Sequence, residues 1–191
     1  MKVIAVEHDH LMDWSWENGV LQMSTNAQSN HFVDPGGSDN LMAVPVVYFA
    51  LPDGDFSVSC RVAGLIAHTF DAAGFFLRCG KDWTAKFLAE RAPTGEVMAV
   101  SVITTAYSDD CNGPDLPLPA QLRVTKAGQT VSWHIQIADG LWRLVRYAHL
   151  PVEKGIQLGL MVQTPSGGGV DAQFDNLSIS TSVPKDLRNG S

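Results

Sequence analysis

Apolar and polar residues alternate with a period of two along most of the chain. Over residues 55–61, Phe56, Val58 and Cys60 alternate with Ser57, Ser59 and Arg61, the signature of an antiparallel strand with one buried face. Val131, Trp133, Ile135 and Ile137 likewise alternate with Ser132, His134 and Gln136, and Leu122 and Val124 with Gln121, Arg123 and Thr125. Further strands are expected at 20–25, 44–51, 74–79, 83–90, 97–105, 141–147, 156–164 and 172–180, giving about eleven strands at sandwich-like spacing. Helix is expected to be minor, because no long window carries a 3.6-residue apolar stripe.

The turn residues agree. Asn18-Gly19 and Asp139-Gly140 are dipeptides that accept the positive φ angles of two-residue hairpins. Pro52-Asp53-Gly54, Pro93-Thr94-Gly95, Ala127-Gly128 and Ser166-Gly167-Gly168-Gly169 mark other connections. Residues 109–119, with Pro114, Pro117 and Pro119, read as a long connection that cannot be strand interior. No linker or composition shift divides the chain, so 1–183 is expected as one domain and 184–191 as a frayed polar tail. Many strands and little helix in a chain of 191 residues favour two packed antiparallel sheets, with a concave face that could take a ligand.

Charge narrows the partners. Thirteen Lys and Arg against twenty Asp and Glu leave a net charge of −7, which disfavours nucleic acid and anionic membranes. No apolar run is long enough to span a bilayer, and Glu7, His8, Asp9 and His10 stand where a secretory signal needs apolar residues, so a cytoplasmic protein is expected. Cys60, Cys79 and Cys111 fit neither a zinc knuckle nor a Cys-x-x-Cys pair and are expected as reduced, mostly buried thiols. His8 and His10 are expected in a flexible segment, and no calcium-binding acidic run is present; neither metal nor cofactor is expected. Gly167-Gly168-Gly169 lacks the Lys-Ser/Thr of a phosphate loop, and Gly-x-Ser-x-Gly is missing.

An ordered series of motifs adds a resemblance. It comprises Asp55-Phe56-Ser57-Val58, Phe70-Asp71-Ala72-Ala73-Gly74-Phe75-Phe76-Leu77-Arg78, then Trp83, Lys86 and Glu90, and the stretch from Ser101 to Asp109. Leu122-Arg123-Val124, Asp139-Gly140-Leu141-Trp142, Arg146-Tyr147-Ala148-His149-Leu150, Gly159-Leu160-Met161 and Phe174-Asp175-Asn176 follow in order. The series resembles the concanavalin A-like domain-of-unknown-function family 1349, a relative of the regulation-of-enolase protein, strongly over 55–179 and weakly over 1–54. That implies an all-β, concanavalin A-like jelly-roll sandwich of two antiparallel sheets, but no activity, since such folds host lectins and glycosidases alike. Two departures matter. Asp109-Asp110-Cys111 stands where the family has Asp-Trp-Ser, and the Trp83–Lys86 spacing is one residue longer, which predicts a bulge or a changed face for Trp83.

Candidate site residues follow from this frame. Lys86 and Glu90 lie four apart on one strand and share a face, where they form either a solvated ion pair, roughly 0–1 kcal/mol, or part of a ligand site. Thr104, Ser108, Asp109, His134 and Arg146 are the other polar residues that a concave sheet could collect, with Trp83 as a stacking platform beside Trp142. Trp133 is expected in the core, Trp14 and Trp16 share a face at one end, and His149 is expected as a structural hydrogen-bonder. Three functions remain open. The first is a non-catalytic module binding a carbohydrate or small polyhydroxylated metabolite. The second is a glycoside hydrolase using Glu90 and Asp109, although none of the five glutamates has an acidic neighbour two to five positions away on a strong strand. The third is a protein-interaction domain near Trp14 and Trp16, with a sheet edge available for homodimerisation.

Overall fold

The computed structural model describes residues 2–37, 40–137, 140–152 and 155–191. In chain order the strands are β1 (Val3–Glu7), β2 (Asp13–Glu17), β3 (Val20–Thr25), β4 (Asn30–Val33), β5 (Asn40–Ala43), β6 (Val46–Phe49), β7 (Phe56–Ile66) and β8 (Ala72–Cys79). They continue with β9 (Trp83–Arg91), β10 (Val97–Thr104), β11 (Ser108–Asp115), β12 (Ala120–Ala127), β13 (Thr130–Gln136), β14 (Trp142–His149), β15 (Gln157–Gln163) and β16 (Val170–Ser180). Asp9–Leu11 forms a 3-10 turn.

Two seven-stranded antiparallel sheets form a jelly-roll sandwich. Sheet A runs β1-β6-β15-β8-β9-β10-β11 and sheet B runs β14-β13-β12-β7-β16-β3-β2. The inward residues of each alternation meet between them: Phe75, Leu77, Ala85, Phe87, Leu158 and Leu160 from sheet A pack against Val58, Cys60, Leu122, Val124, Trp133 and Phe174 from sheet B. Trp133 is fully buried, as expected of its place between Val131 and Ile135. The Asn18-Gly19 turn joins β2 to β3 with φ of 51° and 79°, the paired left-handed conformations that a tight hairpin needs. Asp139 of the second expected turn lies outside the described residues.

The central strands of sheet A are buried on both faces. On its outer face Val44, Val46, Tyr48, Ala72, Phe76, Leu88 and Met161 form a second apolar cluster, roofed by the β4–β5 hairpin, whose His31 ring meets Phe76 at 5.0 Å. This hairpin is why β9 loses the in–out burial pattern of a half-exposed strand.

Several expectations change. The strands number sixteen among the described residues, because β1, β2, β4, β5 and β11 are short or polar and carry little alternation. Residues 108–115 form a strand despite Pro114, since β11 is an edge of sheet A, where a missing N–H can face outward. The histidine-rich start is ordered: Glu7 ends β1 and pairs with Arg78 at 2.5 Å. Residues 186–191, expected to fray, fold back on sheet B, with Gly190 O accepting from Arg123 Nη2 at 2.8 Å. Trp83 pairs with Cys79 in unbroken register and sits in the core, so the longer Trp83–Lys86 spacing makes no bulge.

Candidate functional site

Alternation along β9 places Thr84, Lys86, Leu88 and Glu90 on the outer face of sheet A. The antiparallel register extends that face sideways: Lys86 is opposite Phe76 on β8 and Val102 on β10, and Val102 is opposite Asp110 on β11. Gln163, at the end of β15, is opposite Ala72, which is itself opposite Glu90. These neighbours surround a pocket of about 190 Å³ lined by Asn30, Phe32, Phe70, Lys86, Glu90, Val102, Asp110 and Gln163.

The polar groups form a chain. Lys86 Nζ donates to Gln163 Oε1 at 2.9 Å and to Asn30 Oδ1 at 3.2 Å. The other end of the Gln163 amide donates to Glu90 Oε2 at 3.3 Å and to the Phe70 carbonyl at 3.1 Å. Lys86 and Glu90 are 2% and 7% exposed, so the expected solvated ion pair is replaced by a buried, amide-bridged one. Burial raises the Glu90 carboxyl toward neutral, with the Lys86 charge opposing it. Burial lowers Lys86, with Glu90 and then Asp110 opposing. Asp110 is also raised, by burial first, with Lys86 as the main opposing charge. Two carboxyl groups, an ammonium and two amides facing one cavity offer both donors and acceptors to a ligand.

Phe70 stands at the mouth, 46% exposed, with φ of 66°, a left-handed conformation costly for a bulky residue. The turn beneath it holds it there. Asp71, fully buried, accepts from the His68 N–H at 2.9 Å and lies 3.1 Å from His68 Nδ1. Phe70 N also donates to Arg91 O at 2.8 Å. Phe32, from the roofing hairpin, lies with its ring centroid 5.9 Å from Lys86 Nζ.

The eight sequence-derived candidates separate. Lys86 and Glu90 line the pocket. Thr104 and Ser108 share the outer face but are buried 2.8 Å apart, and Ser108 Oγ accepts from Val33 N, so they anchor the hairpin. Trp83 is a core residue whose Nε1 donates to Pro151 O. Asp109 is opposite Ile103 whereas Glu90 is opposite Met98; an odd offset on one strand sends the two carboxylates to opposite faces. Asp109 instead pairs with Arg146 of β14 at 3.0 Å, at the edge between the sheets. His134 lies on the outer face of sheet B, across the sandwich. Trp14 and Trp16 are half-buried, with Trp16 edge-on to Phe49, and His149 meets Gln129 at 3.2 Å. Asn30, Phe32, Phe70, Asp110 and Gln163 were not among the candidates.

A wider open groove of about 470 Å³ on sheet B, lined by Asp13, Ser15, Gln22, Ser24 and Gln173 among others, has no buried charged group. Among the described residues there is no cluster of metal-ligating side chains, and no helix is long and apolar enough to cross a membrane.

This architecture is that of the concanavalin A-like jelly rolls. The family described as "Protein of unknown function (DUF1349)" matches residues 12–182, and the chain belongs to that family. A functionally unknown protein from Saccharomyces cerevisiae has a similar structure, with a TM-score of 0.80 at 21% identity, over 92% of this chain and 98% of that one. A GH43 protein from Bacillus licheniformis aligns at a TM-score of 0.71 and 12% identity, over 91% of this chain and 35% of its own. GH43B of a Bacteroides ovatus xyloglucan locus aligns at 0.61 and 16%, over 87% of this chain and 34% of its own. These likenesses show a shared fold, and the chain spans about a third of either GH43 protein. No curated protein matches the chain.

Proposed function

We propose that the protein is a non-catalytic binding module that takes a carbohydrate or small polyhydroxylated metabolite in the pocket on the outer face of sheet A. The observation that carries this reading is the buried Lys86–Gln163–Glu90 chain, open to a 190 Å³ cavity. Adjacent hydroxyls each donate and accept, and the pocket presents the Glu90 and Asp110 carboxylates, the Lys86 ammonium and the Asn30 amide to them. Phe70 supplies an apolar ring face of the kind a sugar ring stacks on. Part of a protein named as a GH43 glycoside hydrolase shares the fold, which adds support for a saccharide ligand. The hydrolase reading built on Glu90 and Asp109 is set aside, because carboxylates on opposite faces of a sheet cannot flank one bond. Buried free thiols at Cys60 and Cys79 fit a reducing, cytoplasmic setting.

The test is a thermal-shift screen of the full chain against neutral mono- and oligosaccharides and polyols. A ligand at about 100 times its Kd adds about 2.7 kcal/mol, or roughly 5–11 °C in Tm for a domain of this size. A shift confined to one saccharide class and lost in Glu90→Ala supports the reading. A flat screen, or shifts that survive Glu90→Ala, removes it.

A further inference from the structure

Across the sandwich, the outer face of sheet B buries a strip of polar residues. Thr125, Ser132 and His134 are fully buried and Arg123 is 9% exposed; Arg123 is opposite His134 and Thr125 opposite Ser132 on neighbouring strands. Thr125 is satisfied by Ser57 at 2.9 Å. Arg123 Nε and Ser132 Oγ have no hydrogen-bond partner, and the His134 ring, at the margin of a hydrogen bond with the Leu187 backbone, has at least one nitrogen without a partner. At least three unmet polar atoms on three adjacent side chains are unusual in a folded interior, where such groups are nearly always paired.

What covers them is the segment 186–191. It closes on itself through Gly190 N to Asp186 O at 2.9 Å and Asp186 N to Ser191 O at 3.1 Å. It rests on the strip through the Gly190 carbonyl on Arg123 Nη2 and through Arg188 stacked 4.8 Å from the Tyr147 ring. Trp142 closes the other side, 4.3 Å from the Arg123 guanidinium. The cover thus meets the strip with the Gly190 carbonyl on Arg123 and the Leu187 backbone at the His134 ring. Arg188 stands beside it, over the Tyr147 ring, which adds a second guanidinium near Arg123 in a chain of net charge −7.

We infer that the strip is a second ligand site, for a small molecule bearing an oxyanion, and that residues 186–191 are its displaceable cover. A planar guanidinium presents a fork of donors suited to phosphate or carboxylate. Here its Nε is unused, with the Ser132 hydroxyl and the His134 ring N–H positioned to complete an anion's coordination and Trp142 and Tyr147 as walls. The site is independent of the pocket on sheet A. Gly190 explains how the cover fits: its φ is +78°, and a Cβ there would lie 2.5 Å from Arg123 Nη2 and 2.9 Å from Trp142 Cβ. A side chain at 190 therefore unseats the cover and leaves the strip intact.

The experiment titrates inorganic phosphate and, separately, acetate into the full-length wild type, Gly190→Val, Arg123→Lys and the Gly190→Val/Arg123→Lys pair, at constant ionic strength, followed by amide chemical shifts. A cover that occupies the site lowers the apparent affinity by the fraction of open molecules, so Gly190→Val is expected to bind about tenfold or more tighter than wild type. Arg123→Lys, which keeps the charge and removes the fork, is expected to abolish that gain. The anion that binds tighter identifies the ligand as phosphorylated or carboxylated. Equal affinity in wild type and Gly190→Val, no binding of either anion to Gly190→Val, or binding that survives Arg123→Lys in a folded protein overturns the proposal.

Discussion

Lys86 and Glu90 lie four residues apart on β9 and are joined by neither contact nor water-facing pairing but by the amide of Gln163, which accepts from the one and donates to the other. The amide's two ends are not interchangeable. Its oxygen faces the ammonium and its nitrogen the carboxylate, so the arrangement selects a charged Lys86 beside an acceptor at Glu90. Three strands contribute to this line, β9, β15 and, through Asp110, β11, and the backbone of each is held by sheet hydrogen bonds rather than by a loop.

The pH dependence of stability follows from burial. Glu90 is raised from 4.5, so above the unfolded value the folded chain retains a proton that the unfolded chain has released. Its stabilising contribution is complete below about pH 4.5 and is lost as pH rises through the folded value near neutrality. Lys86, lowered from 10.5, works in reverse: its contribution is present above the unfolded value and lost as pH falls through the folded one. Wild type is therefore expected to lose stability relative to Glu90→Gln between about pH 5 and pH 7.5. Urea midpoints of the two proteins that run parallel across this window contradict the burial assigned to Glu90.

Phe70 holds a left-handed backbone conformation that costs a residue with a side chain about 1–2 kcal/mol. Phe70→Gly relieves it, whereas Phe70→Ala does not. Phe70→Gly is expected to be more stable than Phe70→Ala by about 1 kcal/mol, with both weakening saccharide binding about tenfold through loss of the ring. Denaturant titrations and affinities measured on the same two proteins check both halves, and Phe70→Ala proving the more stable would contradict the strain.

Sequence patterns reached the sandwich, most of the long strands and the shared face of Lys86 and Glu90, because alternation reports which residues of one strand point together. They did not reach strand order. Gln163 ends an apolar run and reads as a strand terminus until β15 is known to lie beside β8, and Asn30 belongs to a hairpin with little patterning that roofs the sheet. Asp110 falls in the stretch that reads as a connection; only once Thr104 and Ser108 are known to be opposite each other across a turn does Asp110, two residues on from Ser108, share their face while Asp109 does not. His134 alternates away from the apolar residues of its strand, but nothing local says which sheet that strand joins.

Gly74 lies at the centre of sheet A, between β15 and β9. A Cβ there would stand 2.2 Å from Phe87 O and 2.9 Å from Leu88 Cα, both backbone atoms that cannot yield without breaking the ladder. Gly74→Ala is expected to cost more than about 3 kcal/mol and to lower Tm by at least about 6 °C. A Tm within a degree or two of wild type in a calorimetric scan contradicts this close approach.

Asp109 is 72% exposed at its side chain and pairs with Arg146 outside the pocket. Asp109→Asn is expected to change stability by no more than about 1 kcal/mol and to leave saccharide affinity unaltered. A loss of affinity comparable to that of a pocket variant would return Asp109 to the site.

The most direct test of the central claim is isothermal titration of the best saccharide from the screen into wild type, Gln163→Ala, Glu90→Gln and Asp109→Asn. Loss of binding in the first two variants, with wild-type affinity in Asp109→Asn, is the predicted result. Undiminished binding in Gln163→Ala and Glu90→Gln, with both proteins folded, would contradict a ligand site built on the Lys86–Gln163–Glu90 chain.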